Sequence, residues 1–113
     1  MSVTTHVLDV SVGRPAEGVR VVLEIRHADG RWQRLGEGET DIDGRLSGLL
    51  PVDRRLRPGT YRLVFDTGAW FASRRARGFY PEVSVVFEVV DATEAFHVPL
   101  LLSPFGYSTY RGS

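Results

Sequence analysis

Short runs of alternating apolar and polar residues fill most of this chain, and Gly, Pro and Asp interrupt them at the roughly 8–12-residue spacing of a sandwich or barrel. A two-residue period predicts strands. Val3 to Val10 forms the first, ended by Gly13-Arg14-Pro15, and Val19 to His27 the second, ended by Ala28-Asp29-Gly30. Trp32 to Thr40 and Leu46 to Leu50 are weaker strands around Asp41-Ile42-Asp43-Gly44. Gly59-Thr60 opens a fifth through Tyr61, Leu63 and Phe65. Glu82 to Val90, Ala95 to Ser103 and Tyr107 to Ser113 complete the set, the last two joined by the turn Ser103-Pro104-Phe105-Gly106 into a hairpin carried to the final residue. One short helix is predicted over Gly68 to Arg75, with Asp66-Thr67 placed to accept the free N–H groups of its first turn. The expectation is an all-β single domain, residues 1–113, of about eight strands with one short helix.

Successive strand residues point to opposite faces of a sheet. In the first strand Thr4, His6, Leu8 and Val10 share one face, and Val3, Thr5, Val7 and Asp9 the other. In the run before the last, His97, Pro99 and Leu101 oppose Val98, Leu100 and Leu102. Neither strand has a wholly polar face, whereas an antiparallel sheet in a small monomer normally leaves one face wet. A second subunit or a ligand channel is therefore expected to cover the outer face.

Composition narrows the partners. The chain has 113 residues, one ordinary domain, and its 14 basic residues balance 14 acidic ones, so no long-range field draws it to nucleic acid or anionic lipid. Every basic residue is Arg, the planar, permanently charged donor suited to carboxylate or amide recognition. There is no cysteine, hence no disulfide framework and no thiolate metal site. Met1 to His6 lacks the basic and apolar regions of a secretory signal, and no run approaches a membrane span, so a soluble cytoplasmic protein is the expectation.

Five segments carry a resemblance: Thr5-His6-Val7-Leu8-Asp9, Gly13-Arg14-Pro15-Ala16, Asp41-Ile42-Asp43-Gly44-Arg45, Phe79-Tyr80-Pro81-Glu82, and His97 through Ser113 with its closing Tyr-Arg-Gly-Ser. In this order and over nearly the whole chain, the sequence resembles the 5-hydroxyisourate hydrolases, the purine-catabolic branch of the transthyretin-like proteins. The resemblance implies a transthyretin-like sandwich of two antiparallel sheets. It also implies a homotetramer, paired into dimers through edge strands, with active sites in the channel at the dimer–dimer interface. The implied catalytic residues are His6, Arg45, His97 and Ser113; the implied substrate-binding residues are His6, Arg45, Tyr110, Arg111 and Gly112. No cofactor and no metal are implied. The sequence departs from the commoner pattern at Ala95-Phe96, where relatives often carry a His before an aromatic, and at Tyr80, where a second Phe is usual.

The activity implied is hydrolysis of a ring lactam in 5-hydroxyisourate to give 2-oxo-4-hydroxy-4-carboxy-5-ureidoimidazoline, within urate degradation. A catalyst of that step must deprotonate water, hold it near the carbonyl carbon, and stabilise the oxyanion. Imidazole exchanges protons near neutral pH, which suits His6 and His97 to the proton transfers. The Arg45 fork pairs with ring oxygens and balances developing charge. Ser113 acts by its hydroxyl or a terminal carboxylate, and Tyr110 lines the pocket. Strand alternation puts Tyr110 with Ser108 and Gly112, and Arg111 and Ser113 on the opposite side unless the last residues twist.

Other readings of these residues are weaker. His27, beside a turn, is structural. Asp41-Ile42-Asp43-Gly44 opens like a calcium loop but lacks the later Gly and distal Glu. His6 and His97 without a third ligand make a poor zinc site. Arg74-Arg75-Ala76-Arg77 is a solvated helix end in a neutral domain, and no Gly-x-Ser-x-Gly elbow is present. The rival class is a transthyretin-like carrier that binds a small ligand without reacting it; such a channel needs mainly apolar walls.

Overall fold

The computed structural model describes residues 2–113. Nine strands and one helix follow in the order β1 (Val3–Asp9), β2 (Arg14–Pro15), β3 (Arg20–Arg26), β4 (Trp32–Glu39), β5 (Arg45–Leu46), β6 (Gly59–Phe65), α1 (Thr67–Ser73), β7 (Val83–Val89), β8 (Phe96–Ser103) and β9 (Gly106–Thr109). One sheet runs β2-β1-β8-β9, with β5 also pairing β1; the other runs β4-β3-β6-β7. All pairs are antiparallel except β1 with β8, whose parallel register sets Thr4 opposite His97 and His6 opposite Pro99. That central pair joins residues more than ninety positions apart. It is why histidines from the two ends of the sequence meet.

Burial follows the alternation. Val3, Thr5 and Val7 of β1 and Val98, Leu100 and Leu102 of β8 face Val21, Leu23, Ile25, Tyr61, Leu63 and Phe65 of the opposing sheet, forming one core. Apolar side chains leave water there, the main favourable term in folding. Thr5 is the buried polar exception on β1, and its hydroxyl donates to the Val98 carbonyl at 2.6 Å, so it costs no unpaired group. Helix α1 starts where Asp66 accepts from the Ala69 N–H, and Trp70 anchors it by donating from Nε1 to the Glu17 carbonyl at 2.7 Å.

Three boundaries differ from the sequence reading. Leu46 to Leu50 is a strand only at Arg45–Leu46, because the chain then leaves the sheet to bury Leu49 completely. Arg14–Pro15, read as a strand end, is itself a short strand on β1. The run Tyr107 to Ser113 is strand only to Thr109, and beyond it one bridge, His97 with Gly112, holds the chain. Among the described residues no helix is long and apolar enough to cross a membrane.

Candidate active site

The outer face of β1, β5 and β8 gathers the chemistry. His6 on β1 stands opposite Arg45 on β5, and Thr4, two residues earlier on the same face, stands opposite His97 on β8. Strand pairing alone places two imidazoles and one guanidinium on a single patch.

The turn Asp41–Arg45 does most of the positioning. Asp41 Oδ1 accepts from the backbone N–H of both Asp43 and Arg45 at 2.9 Å, an Asx-type turn that fixes where β5 begins. Gly44 has φ +75 and its carbonyl accepts from Val7 N–H at 2.7 Å; a Cβ there would collide with the Val7 carbonyl oxygen, so only glycine lets the turn close on β1. The same turn aims the Asp43 carbonyl at His6 Nε2, 2.9 Å away. A carbonyl oxygen only accepts, so Nε2 carries the proton and the Nδ1 of neutral His6 holds the free lone pair.

His97 is half-buried, with Nδ1 2.8 Å from the Thr4 hydroxyl. The chain returns to it at Gly112, whose N–H donates to the His97 carbonyl at 2.8 Å. A Cβ on Gly112 would lie 2.5 Å from His97 Cδ2, so the approach of this segment to the ring requires glycine. Burial, then the charge of Arg45, then that of His6, hold the His97 imidazole below its ordinary pKa. All three causes favour the neutral ring over the charged one.

Thr4, Thr5, Asp41, Arg45, Leu46, Ser47 and His97 line a pocket of about 280 Å³. Only Leu46 among them is apolar. Among the described residues no carboxylate pairs with the Arg45 guanidinium. Asp41 shares the pocket, but one of its oxygens is already committed to the turn. The patch thus offers a permanent cation and proton-exchanging imidazoles to an electron-rich ligand. Among the described residues no three His, Cys, Asp or Glu side chains converge as a metal site.

The other sequence candidates lie elsewhere. Arg111 stacks over the Phe96 ring at 4.7 Å and sits 3.7 Å from Glu94, away from the histidines. Tyr110 is exposed and borders, with Phe96 and Val85, a separate 240 Å³ hollow between the edges of β7 and β9. Ser113 is exposed beyond Gly112. One chain therefore brings together His6, Arg45, His97 and Gly112, and not Tyr110 or Arg111. Sequence reasoning missed Thr4, Asp41 and the Asp43 carbonyl. Thr4 had a signal, since it shares the His6 face; the roles of Asp41 and Asp43 depend on a turn geometry no periodicity reports.

A two-sheet sandwich with a basic, hydroxyl-rich pocket on an outer face defines the class, and comparison with known proteins places the chain within it. Residues 3–112 match the HIUase/Transthyretin family, and the chain belongs to that family. It is 48% identical over 111 residues to the 5-hydroxyisourate hydrolase of Mus musculus, covering 97% of this chain and 93% of the mouse protein. Among solved structures it is similar to the 5-hydroxyisourate hydrolase of Klebsiella pneumoniae, with TM-score 0.86, 35% identity and full coverage of both chains. It is also similar to sea bream transthyretin in complex with thyroxine, with TM-score 0.90, 31% identity, and 97% of this chain and 93% of that one covered.

Proposed function

We propose that this protein hydrolyses 5-hydroxyisourate to 2-oxo-4-hydroxy-4-carboxy-5-ureidoimidazoline in urate degradation, without a metal or other cofactor. The observation that carries the reading is the Arg45 guanidinium, with no carboxylate partner among the described residues, which shares a pocket with His97 and stands opposite His6 across the β1–β5 pair. The mouse and Klebsiella relatives, both named for this reaction, supply the substrate. In this mechanism a water molecule gives its proton to an imidazole lone pair as it attacks the lactam carbonyl carbon. The C–N bond then breaks, and the ring nitrogen takes a proton as it leaves. Arg45 orients the ring oxygens and stabilises the oxyanion. The likeness to a thyroxine-binding transthyretin raises the carrier as a second reading, and the Arg45 cation and the His97 imidazole in the pocket are against it, since carrier sites hold few charged groups.

The functional form in this proposal is a homotetramer, with sites in a channel between dimers. Its support is the exposed apolar surface on one chain, Phe105, Val90, Phe79 and Val12 among it, and the open outer edges of β7 and β9. In the assembly, Tyr110, Arg111 and Ser113 complete the substrate pocket. Light scattering should report about four times 12.6 kDa; a stable monomer at micromolar concentration contradicts the channel. The activity is tested by the ultraviolet decay of 5-hydroxyisourate, made in situ from urate by urate oxidase. Fast decay that a chelator does not slow supports the metal-free hydrolase. Decay at the spontaneous rate, with the assembly intact, favours the carrier.

A further inference from the structure

We propose that Thr4 is a positioning residue that donates its hydroxyl proton to His97 Nδ1, fixing His97 as the Nε2–H tautomer and so as the hydrogen-bond donor of the histidine pair. The inference rests on the hydrolase reading for its kinetic consequence but not for its structural content.

Thr4 and His97 are directly opposed in the parallel β1–β8 register, with Oγ1 and Nδ1 at 2.8 Å, an ordinary hydrogen-bond length. The direction follows from what each group can satisfy. Among the described residues the Thr4 hydroxyl has no other protein partner, whereas the hydroxyl of its neighbour Thr5 donates to Val98. A Thr4 hydroxyl that donates to Nδ1 pairs both groups; the reverse arrangement leaves the hydroxyl proton without a protein acceptor. Donation to Nδ1 requires the neutral ring. Burial of the ring favours that form first, then Arg45 and His6, the cationic and titratable groups that act on His97 from β5 and β1, and Asp41 is the acidic member of the pocket wall. Gly112 closes on the Cδ2 edge of the ring and holds it against Thr4 from the other side.

The two histidines then differ in role. His6, its Nε2 proton given to the Asp43 carbonyl, offers a lone pair at Nδ1. His97, its Nδ1 filled by Thr4, offers a proton at Nε2. The Arg45 cation joins His97 on the donating side, which separates the group that takes a proton from water from the groups that meet the carbonyl oxygen.

Nitrogen-15 NMR of the imidazoles in the intact, ligand-free protein tests this, alongside Thr4→Val and Thr4→Ser. In the wild type at neutral pH, His97 should show a protonated Nε2 and an Nδ1 resonance displaced by an accepted hydrogen bond. Thr4→Val should abolish that displacement and raise the His97 pKa, because a bond that favours the neutral form is lost. It should lower kcat about tenfold, the worth of one hydrogen bond, with little change in KM, and move the acid limb of the rate upward in pH. Thr4→Ser should restore all four readouts. A wild-type His97 protonated at Nδ1 overturns the assignment without any variant. So do Thr4→Val resonances and an acid limb indistinguishable from wild type. Failure of the hydrolase reading would show as absent turnover in the wild type and would leave the NMR result to stand or fall alone.

Discussion

The two sheets carry their arginines on their outer faces in opposite ways. On the β4-β3-β6-β7 sheet every outward guanidinium is engaged. Arg20 and Arg34 both pair with Glu37, Arg62 pairs with Glu24 at 2.5 Å and lies 4.2 Å over the Trp32 ring, and Arg26 approaches the same ring at 5.6 Å. On the β1–β8 sheet Arg45 stands opposite His6 and its charge acts on His97, and among the described residues no carboxylate pairs with it. A paired, partly screened charge adds little to stability and offers nothing to a ligand. A cation left without its counter-charge is costly to hold and valuable to an oxyanion. The same residue type is paired on one face and, in the proposed function, meets the substrate on the other, because of what stands across the strand from it.

The sharpest way to break this contrast is to remove one arginine from each face. Arg45→Ala should lower turnover of 5-hydroxyisourate by on the order of 100-fold or more, the usual cost of losing an oxyanion partner, with the melting temperature nearly unchanged. His6→Ala should have an effect of similar order through loss of proton transfer. Gly112→Ala forces the His97 ring to move, and steady-state kinetics should show about a 10- to 100-fold loss in kcat with the fold intact. Arg62→Ala should leave kcat alone and reduce stability by about 1 kcal/mol in urea titration, since the Arg62–Glu24 pair is only partly screened from water.

The smallest effect concerns pH. Because His97 lies below its ordinary pKa of 6.5 in the folded protein, the stability linked to its neutral form is fully present above 6.5 and is lost as pH falls through the depressed folded value. Arg45→Gln removes one cause of the depression. It should bring the His97 pKa, followed by NMR, closer to 6.5 and shrink that acid loss. An unchanged His97 titration would mean that Arg45 and His97 do not interact.

Strands with strict alternation were legible in the sequence to within a residue or two, because burying Val3, Thr5 and Val7 against Leu63 and Phe65 leaves a periodic trace. Helix α1 was legible from its cap, Asp66. The Leu46 to Leu50 run misled because an apolar stretch reads alike whether it pairs as a strand or dives to bury Leu49. The histidine and arginine positions came from residue type and family pattern, and their assembly needed the parallel β1–β8 register, a long-range fact with no local signature. Thr4 shares the His6 face in any extended strand, yet only that register sets it against His97. Tyr110 and Arg111 shared a motif with Gly112, but past Thr109 the chain leaves the strand and Arg111 turns toward Phe96.

The most direct measurement follows the ultraviolet decay of 5-hydroxyisourate with wild type, Arg45→Ala and Arg62→Ala at equal, verified assembly. Wild type and Arg62→Ala should accelerate decay alike, with Arg45→Ala falling toward the spontaneous rate. Equal activity in all three would show that the Arg45 cation plays no part in the chemistry.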